Sequence, residues 1–203
     1  MSIFLLRFLP ALLGLIVAAC STLPQSPTVA PPAAQYQTHL EQINKIRFFA
    51  MDGRIAILTE SKGFSGGLHW HHYGEGDDLG FYSPLGTQLG KLTRDASGVT
   101  LTTSNQNTIH ANDAETLTQQ TLGWSLPMNG LTDWILGRPA QGPVEVLAWD
   151  VNGNIKHMKQ QGWDIQYADY AAFNDVTLPL KLTLKSQKLD LKLVVETWQT
   201  GTE

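Results

Sequence analysis

Leu180-Lys181-Leu182-Thr183-Leu184 and, after one short break, Leu189-Asp190-Leu191-Lys192-Leu193 alternate apolar and polar residues without a slip. Successive side chains of a strand point to opposite faces, so each run buries one face and wets the other. The break at 185–188 is a turn length, which makes the pair an antiparallel hairpin. Strands buried on both faces would read as continuous apolar runs instead. The hairpin therefore belongs to a sheet with one dry side, and the chain must supply a cover for that side.

Working back from this hairpin, the same period recurs. Met51, Gly53, Ile55 and Ile57 share one face of a strand starting near Phe49. Phe64, Gly66, Leu68 and Trp70 share one face of the next, with Ser65, Gly67, His69 and His71 on the other. Short strands follow at 79–83, 88–93, 99–103 and 108–111, then at 144–149, 155–161, 162–167, 178–184 and 189–198, separated by Asn-, Gly- and Asp-containing turns. Helical spacing shows in three places. Tyr36, Leu40 and Ile43 form an i, i+4, i+7 stripe. Asn112-Asp113-Ala114-Glu115 resembles a capping box opening a helix to about Leu122. A third helix follows Pro127 and ends at Gly137, with Leu131, Trp134 and Ile135 on one face. The expected fold is mainly β with α: a single curved antiparallel sheet of about eleven strands forming an incomplete β-barrel, covered by a lid of about three helices.

The first twenty residues have a different character. Arg7 precedes an apolar run from Phe8 to Ala19 that is interrupted by Pro10 and Gly14 and is shorter than the roughly 20 residues a bilayer span needs. A short apolar segment behind a basic residue reads as an export signal over residues 1–19. It ends in Val17-Ala18-Ala19-Cys20, the pattern of a bacterial lipobox, in which the cysteine takes a diacylglyceryl group on sulfur and an acyl group on its new amino terminus. The alternative is an ordinary signal that happens to contain a cysteine. Cys20 is the single cysteine of the chain, so no internal disulfide is available in an oxidising compartment. One lipid chain anchors marginally and two or more anchor stably, so three make a lasting tether. Where lipoproteins are sorted by the following residue, Asp means retention at the inner membrane, and Ser21 implies the outer membrane.

Residues 21–35 carry four of the ten prolines and no charge. With Cys20 they read as a lipidated, Pro-rich linker, 20–35, ahead of a domain at 36–203. Extended at about 3.1 Å per residue, the linker spans on the order of 45 Å; a stretch with no reach requirement would have the same composition. The full chain carries a net charge of −4, and removing the signal takes away one arginine and no acid. No Lys/Arg cluster of the kind that tracks phosphates occurs, so nucleic acid is not an expected partner.

Catalytic and metal chemistry find little purchase. His69, His71 and His72 flank Trp70 with Asp77 and Asp78 nearby, and two histidines at i, i+2 could share a metal; no third ligand stands at a supporting spacing, and exposed strand faces often carry histidine. No nucleophile elbow, zinc helix motif or phosphate loop is present. No catalytic residue, metal or free cofactor is expected beyond the covalent lipid on Cys20. One loop is unusual: Ser83-Pro84-Leu85-Gly86-Thr87 places a leucine at a turn tip between two ordinary turn residues. It is either a scattered exposed apolar residue or a wedge for a membrane or partner.

The lipobox with Ser21, the Ser83-Pro84-Leu85-Gly86 loop, the segment Leu131-Thr132-Asp133-Trp134-Ile135-Leu136-Gly137-Arg138-Pro139, and the closing strands with Leu178-Pro179 and Trp198 together resemble the outer-membrane lipoprotein receptor family LolB across the mature domain. Two local differences from that pattern stand out: the Gly- and acid-rich run 74–78 and the Gly66-Gly67 pair. The resemblance implies an incomplete barrel under a helical lid. It also implies a monomer that accepts acylated lipoproteins from the periplasmic carrier LolA and inserts them into the inner leaflet of the outer membrane, Leu85 being the membrane-inserting residue. Acyl chains cannot cross an aqueous compartment unprotected, so carrier and acceptor each need an apolar cavity. Candidates for its lining are Met51, Ile55, Ile57, Leu68, Trp70, Phe81, Leu117, Leu131, Trp134 and Ile135; each could equally be plain core. The other class of function open to this pattern is a lipid-anchored structural or assembly protein that uses its sheet as a protein-binding surface.

Overall fold

The computed structural model describes residues 32–201; the export signal, Cys20 and most of the Pro-rich linker lie outside them. Helix α1 (Pro32–Ile43) leads into a six-strand meander: β1 (Phe48–Thr59), β2 (Gly63–Tyr73), β3 (Gly76–Tyr82), β4 (Gln88–Asp95), β5 (Gly98–Thr103) and β6 (Thr108–Ala111). Helices α2 (Ala114–Leu122) and α3 (Met128–Trp134) follow. A second meander completes the chain: β7 (Val144–Trp149), β8 (Ile155–Gln160), β9 (Trp163–Phe173), β10 (Val176–Lys185) and β11 (Leu189–Gly201).

All eleven strands form one antiparallel sheet in the order β6-β5-β4-β3-β2-β1-β11-β10-β9-β8-β7. The first and last strands pair at its centre, and the edges are β6 and β7, the two strands that the helical insert connects. The sheet is open between them. Its inner face carries Met51, Ile55 and Ile57 of β1, Leu68 and Trp70 of β2, Leu182 and Leu184 of β10, and Leu191, Leu193 and Val195 of β11, all buried. Alternation in β11 breaks once. Asp52 opposes Thr197 while Gly53 opposes Val195, so Glu196 is an extra residue in the ladder. This bulge lets both Val195 and Trp198 face inward across an odd spacing. A Cβ at Gly53 would run into the Val194 carbonyl oxygen beside it, which is why the close approach needs glycine there.

The insert crosses the dry face. α2 lies against β5 and β6, while α1 lies against β7 and β10. The α2 cap is Asp113 rather than Asn112: its carboxylate accepts the Thr116 N–H at 2.7 Å and the Thr116 hydroxyl at 3.0 Å, and Gly123 ends the helix in the left-handed region at φ 83°. Glu115 does not close a box; it accepts the Asn129 N–H at the start of α3. α3 is shorter than its stripe suggests, stopping at Trp134. Helix α1 starts at Pro32, ahead of the stripe that begins at Tyr36, as suits a proline at a first helical position.

The largest departure from the alternation pattern is the β9–β10 hairpin. It runs on to a two-residue turn at Asn174-Asp175, well past Tyr167. Asp169 sits at φ 56° within β9 and disrupts the period, so the strand beyond it reads as loop from sequence alone.

One amide clamps the lid to the sheet. The fully buried Gln160 side chain at the end of β8 accepts the Trp134 Nε1–H (2.8 Å) and the Ala140 N–H (2.9 Å), and donates to the Ala140 carbonyl (2.8 Å). Replacing it with an apolar residue leaves several buried polar groups unpaired. Gln160→Leu should lower unfolding stability by on the order of 3 kcal/mol, read as a drop in urea midpoint at unchanged m-value; an unchanged midpoint would show that the clamp holds nothing.

Candidate functional site

The segment Leu131–Pro139, conspicuous in the sequence, performs structural work. Trp134 is buried between Gln160 and the Tyr167 hydroxyl, which donates to the Trp134 carbonyl at 2.9 Å. Arg138 donates to Asp133 (2.7 Å) and to the Ile43 carbonyl at the end of α1 (3.0 Å), joining α3 to α1. Gly137 turns at φ 77° against Pro179 of β10, whose carbonyl accepts the Trp198 Nε1–H at 3.1 Å. Trp134, Gly137, Pro179 and Trp198, distant in sequence, thus form the junction between lid and central strands.

The histidines do not converge. His69 pairs with Asp52 on the outer face, where Asp52 also accepts the Thr197 hydroxyl. His72 lies on the inner face against Asp77 at 2.9 Å. Asp77 is fully buried and also accepts from Trp70 Nε1 (2.7 Å) and the Arg94 guanidinium (Nε 2.7 Å). A carboxylate buried at that depth is tolerable because every lone pair is met by a donor. Among the described residues no group of three His, Cys, Asp or Glu side chains is placed to hold a metal.

Two depressions differ in character. The larger, about 970 Å³, lies between α1, the β7–β8 turn and β9, and is bordered by Gln35, His39, Asn152, Asn154, Asp150 and Asp169. Burial pushes the His39 imidazole below its ordinary value, and the Asp150 charge counters part of that. Tyr167, Tyr170 and several alanines complete a mixed lining that is much more polar than that of the second depression. The smaller, about 340 Å³, is apolar and lies between the first meander and the α2 segment. Ile57, Phe64, Phe81, Leu89, Leu92, Leu101 and Trp124 border it, with Lys62, Thr118 and Thr121 among its polar neighbours. Its size is at the low end of small-molecule sites, about 300–1,000 Å³.

Of the ten residues expected to line an apolar cavity, Ile57 and Phe81 border this one. Met51, Ile55, Leu68 and Trp70 are packed in the central sheet, Trp70 edge-on to Phe49 with ring centroids 5.2 Å apart. Leu117 of α2, Leu131 and Trp134 of α3, and Ile135 just after α3 are all buried. Phe64, Leu89, Leu92, Leu101 and Trp124 were not among the candidates. Phe64, Leu92 and Leu101 carry the alternation signal that could have found them. Leu89 does not, because it is the extra residue of a bulge: Phe81 opposes Gly90 and Tyr82 opposes Gln88, leaving Leu89 without a partner.

The Pro84-Leu85-Gly86 loop joins β3 to β4 at the end of the sheet where this cavity lies. The Gly86 N–H donates to the Ser83 carbonyl (2.9 Å) and the Ser83 N–H to the Thr87 carbonyl (2.8 Å), with Gly86 left-handed at φ 84°. This is a turn with proline at its second position followed by a left-handed glycine. It leaves Leu85 95% exposed. Leu58, on the outer face of β1 near the same end, is 61% exposed.

Sequence comparison agrees with this architecture. Residues 47–198 match the family described as outer membrane lipoprotein LolB. An outer-membrane lipoprotein LolB of Nitrosococcus oceani is 34% identical over 188 residues, covering 92% of this chain and 94% of its own. One from Pseudomonas paraeruginosa is 33% identical over 167 residues, 82% of each. Among solved structures, a DUF1329 family protein from Desulfovibrio piger superposes with a TM-score of 0.50 over 84% of this chain and 94% of its own, at 8% identity, a likeness of fold alone.

A hydrophobic fluorescent dye should bind the mature protein and alter Trp124 emission. Trp124→Phe should remove most of that change, and Leu101→Trp, which fills the cavity, should weaken dye binding by about tenfold or more. Equal dye affinity in Leu101→Trp would place the binding site elsewhere.

Proposed function

The chain belongs to the LolB family of outer-membrane lipoproteins, and from that membership we propose that it accepts acylated lipoproteins from the periplasmic carrier LolA in the apolar cavity and inserts them into the inner leaflet of the outer membrane. The family is one of lipoprotein trafficking at the outer membrane, not of enzymes. In our reading the protein acts as a monomer facing the periplasm and held by acyl chains on Cys20. The observation that carries the reading is spatial: the apolar cavity and the exposed Leu85 share one end of the sheet.

The chemistry follows from sign and size. Water drives an acyl chain into any apolar cavity large enough to take it. At about 340 Å³ the cavity admits the acyl group of a lipoprotein fully only as α2 lifts from β5 and β6. With no nucleotide to drive the step, the cargo moves down a gradient of affinity from carrier to acceptor to bilayer. Leu85 opens the last stage. A leucine gains about 1.5–3 kcal/mol on leaving water, whereas a carboxylate pays heavily to enter an apolar phase.

Leu85→Glu should therefore separate acceptance from delivery. Its exposure means that stability should shift by no more than about 0.5 kcal/mol. Transfer from carrier to purified variant should match wild type, transfer onward into liposomes should fail, and Leu85→Ile or Leu85→Phe should keep both. Delivery by Leu85→Glu at the wild-type rate, or loss of the first stage in a folded variant, refutes the wedge. The anchor is tested apart from this: Cys20→Ala should abolish incorporation of labelled palmitate, and label retained on that variant would overturn the assignment of lipid to Cys20.

A further inference from the structure

Leu89 stands where the cavity and the Leu85 loop meet. It borders the apolar cavity and is nonetheless 40% exposed. The bulge puts it out of register with β3, and its own carbonyl accepts the Ser104 N–H at 3.0 Å from the β5–β6 turn, which holds the bulged backbone in place. A bulge of this kind re-aims one side chain and bends the strand locally. Leu85 and Leu89 are four residues apart, so their Cα atoms are separated by no more than about 14 Å. Going forward along the chain from the loop tip, Leu89 is the first apolar side chain that borders the cavity, with Gly86, Thr87 and Gln88 between it and Leu85.

Charge separates the two ends of the sheet. At the Leu85 end, the turns after β1 and β10 carry Lys62 and Lys188, with Glu60 as the acid, and Lys62 itself borders the cavity. At the opposite end, the turns after β2, β7 and β9 carry Glu75, Asp150 and Asp175 and β4 ends on Asp95, against Lys45 and Arg47 in the α1–β1 connection, so acids outnumber bases there. An anionic bilayer surface attracts the lysine-bearing end and repels the other. The cavity mouth, the exposed leucines and the favourable charge all face the same way.

We propose that Leu89 is the threshold of the cavity, the side chain over which acyl chains pass between the pocket and the bilayer at the Leu85 end. This rests on the acceptor reading and adds the route and the residue that controls it. A threshold is crossed in both directions. Replacing Leu89 with a charged group therefore raises the barrier for loading and release alike, while the deeper lining (Ile57, Phe64, Phe81, Leu92 and Leu101) is unchanged.

The test uses the mature protein, a dipalmitoylated peptide, and vesicles of phosphatidylethanolamine containing phosphatidylglycerol. Leu89→Glu should slow both uptake of the peptide and its release to vesicles by about tenfold, the ratio that about 1.4 kcal/mol of added barrier produces. Its equilibrium affinity should fall by clearly less than its uptake rate, since release slows along with uptake and Leu89 is one of several apolar side chains bordering the cavity. Leu89→Met should restore wild-type rates, and Leu89→Ser, which removes bulk without charge, should fall between. Wild-type rates in both Leu89→Glu and Leu89→Ser overturn the threshold. So does an affinity that falls as far as the uptake rate, because Leu89 would then only line the binding site. Failure of the underlying reading looks different: wild-type protein would take up no peptide at all.

Discussion

Everything in this molecule depends on a sheet that stops short of closing. Eleven antiparallel strands pair from β6 through the β1–β11 seam to β7, and the last pairing, between β6 and β7, is absent. In its place the chain runs through α2 and α3. A closed barrel seals its interior with backbone hydrogen bonds; this one seals it with side chains on an insert. The dry face of the sheet, with Leu191, Leu193, Met51 and Trp70 at its centre, makes such a cover obligatory. The two exposed edges are blunted in familiar ways: β6 is only four residues long, and β7 lies beside α1.

The insert is fastened unevenly. Around α3, the Gln160 amide, the Tyr167 hydroxyl and the Arg138 guanidinium all reach it, and Gly137 seats it against Pro179. Each of those bonds is buried or half-buried, where breaking one leaves an unpaired polar group. Around α2 the ties are lighter: Glu115 to the Asn129 N–H, and the Thr118 hydroxyl accepting the Leu126 N–H within the insert itself. Packing of α2 falls on β5 and the short edge strand β6. The Leu131–Pro139 segment, with Pro179 and Trp198, is thus a set of fastenings, and the cavity lies away from it, under the less fastened arm.

That division explains what was legible in the sequence and what was not. Period-two alternation in β1, β2, β10 and β11 revealed the sheet, because one dry face imposes it residue by residue. It failed where a single residue broke phase: Asp169, left-handed at φ 56°, hid the far half of the β9–β10 hairpin, and the Glu196 bulge placed Trp198 inward at an odd spacing. The cavity was read less well for a related reason. Apolar side chains that fill a core and those that border a void look alike in sequence, so Leu68, Trp70 and Trp134 were as eligible as Phe81. Asp77 shows the same blindness for charge. Beside three histidines it reads as a solvated or ligating carboxylate, and only the fold brings Arg94 from the next strand to bury it. Leu85 needed no fold to be noticed, because proline and glycine on either side already specify a turn tip.

An open sheet with an unevenly fastened lid has a mechanical consequence. To admit a chain between two strands, a closed barrel must break ladder hydrogen bonds and leave their donors and acceptors facing hydrocarbon, at a cost of several kcal/mol per unpaired group in lipid. Here the boundary of the cavity on one side is a helix whose own backbone bonds are internal and survive any rigid movement. Lifting α2 costs the side-chain contacts it makes with β5, β6 and the cavity lining and loads the Glu115–Asn129 and Thr118–Leu126 hydrogen bonds that tie it to the rest of the insert; an incoming acyl chain would replace the apolar contacts with similar ones. That part of the exchange is apolar surface for apolar surface, which is close to neutral in free energy. In such a movement the more firmly fastened α3 would keep the lid in register. Under the proposed acceptor function, the missing β6–β7 pairing is therefore the feature that would let one cavity both take hold of hydrocarbon and let it go.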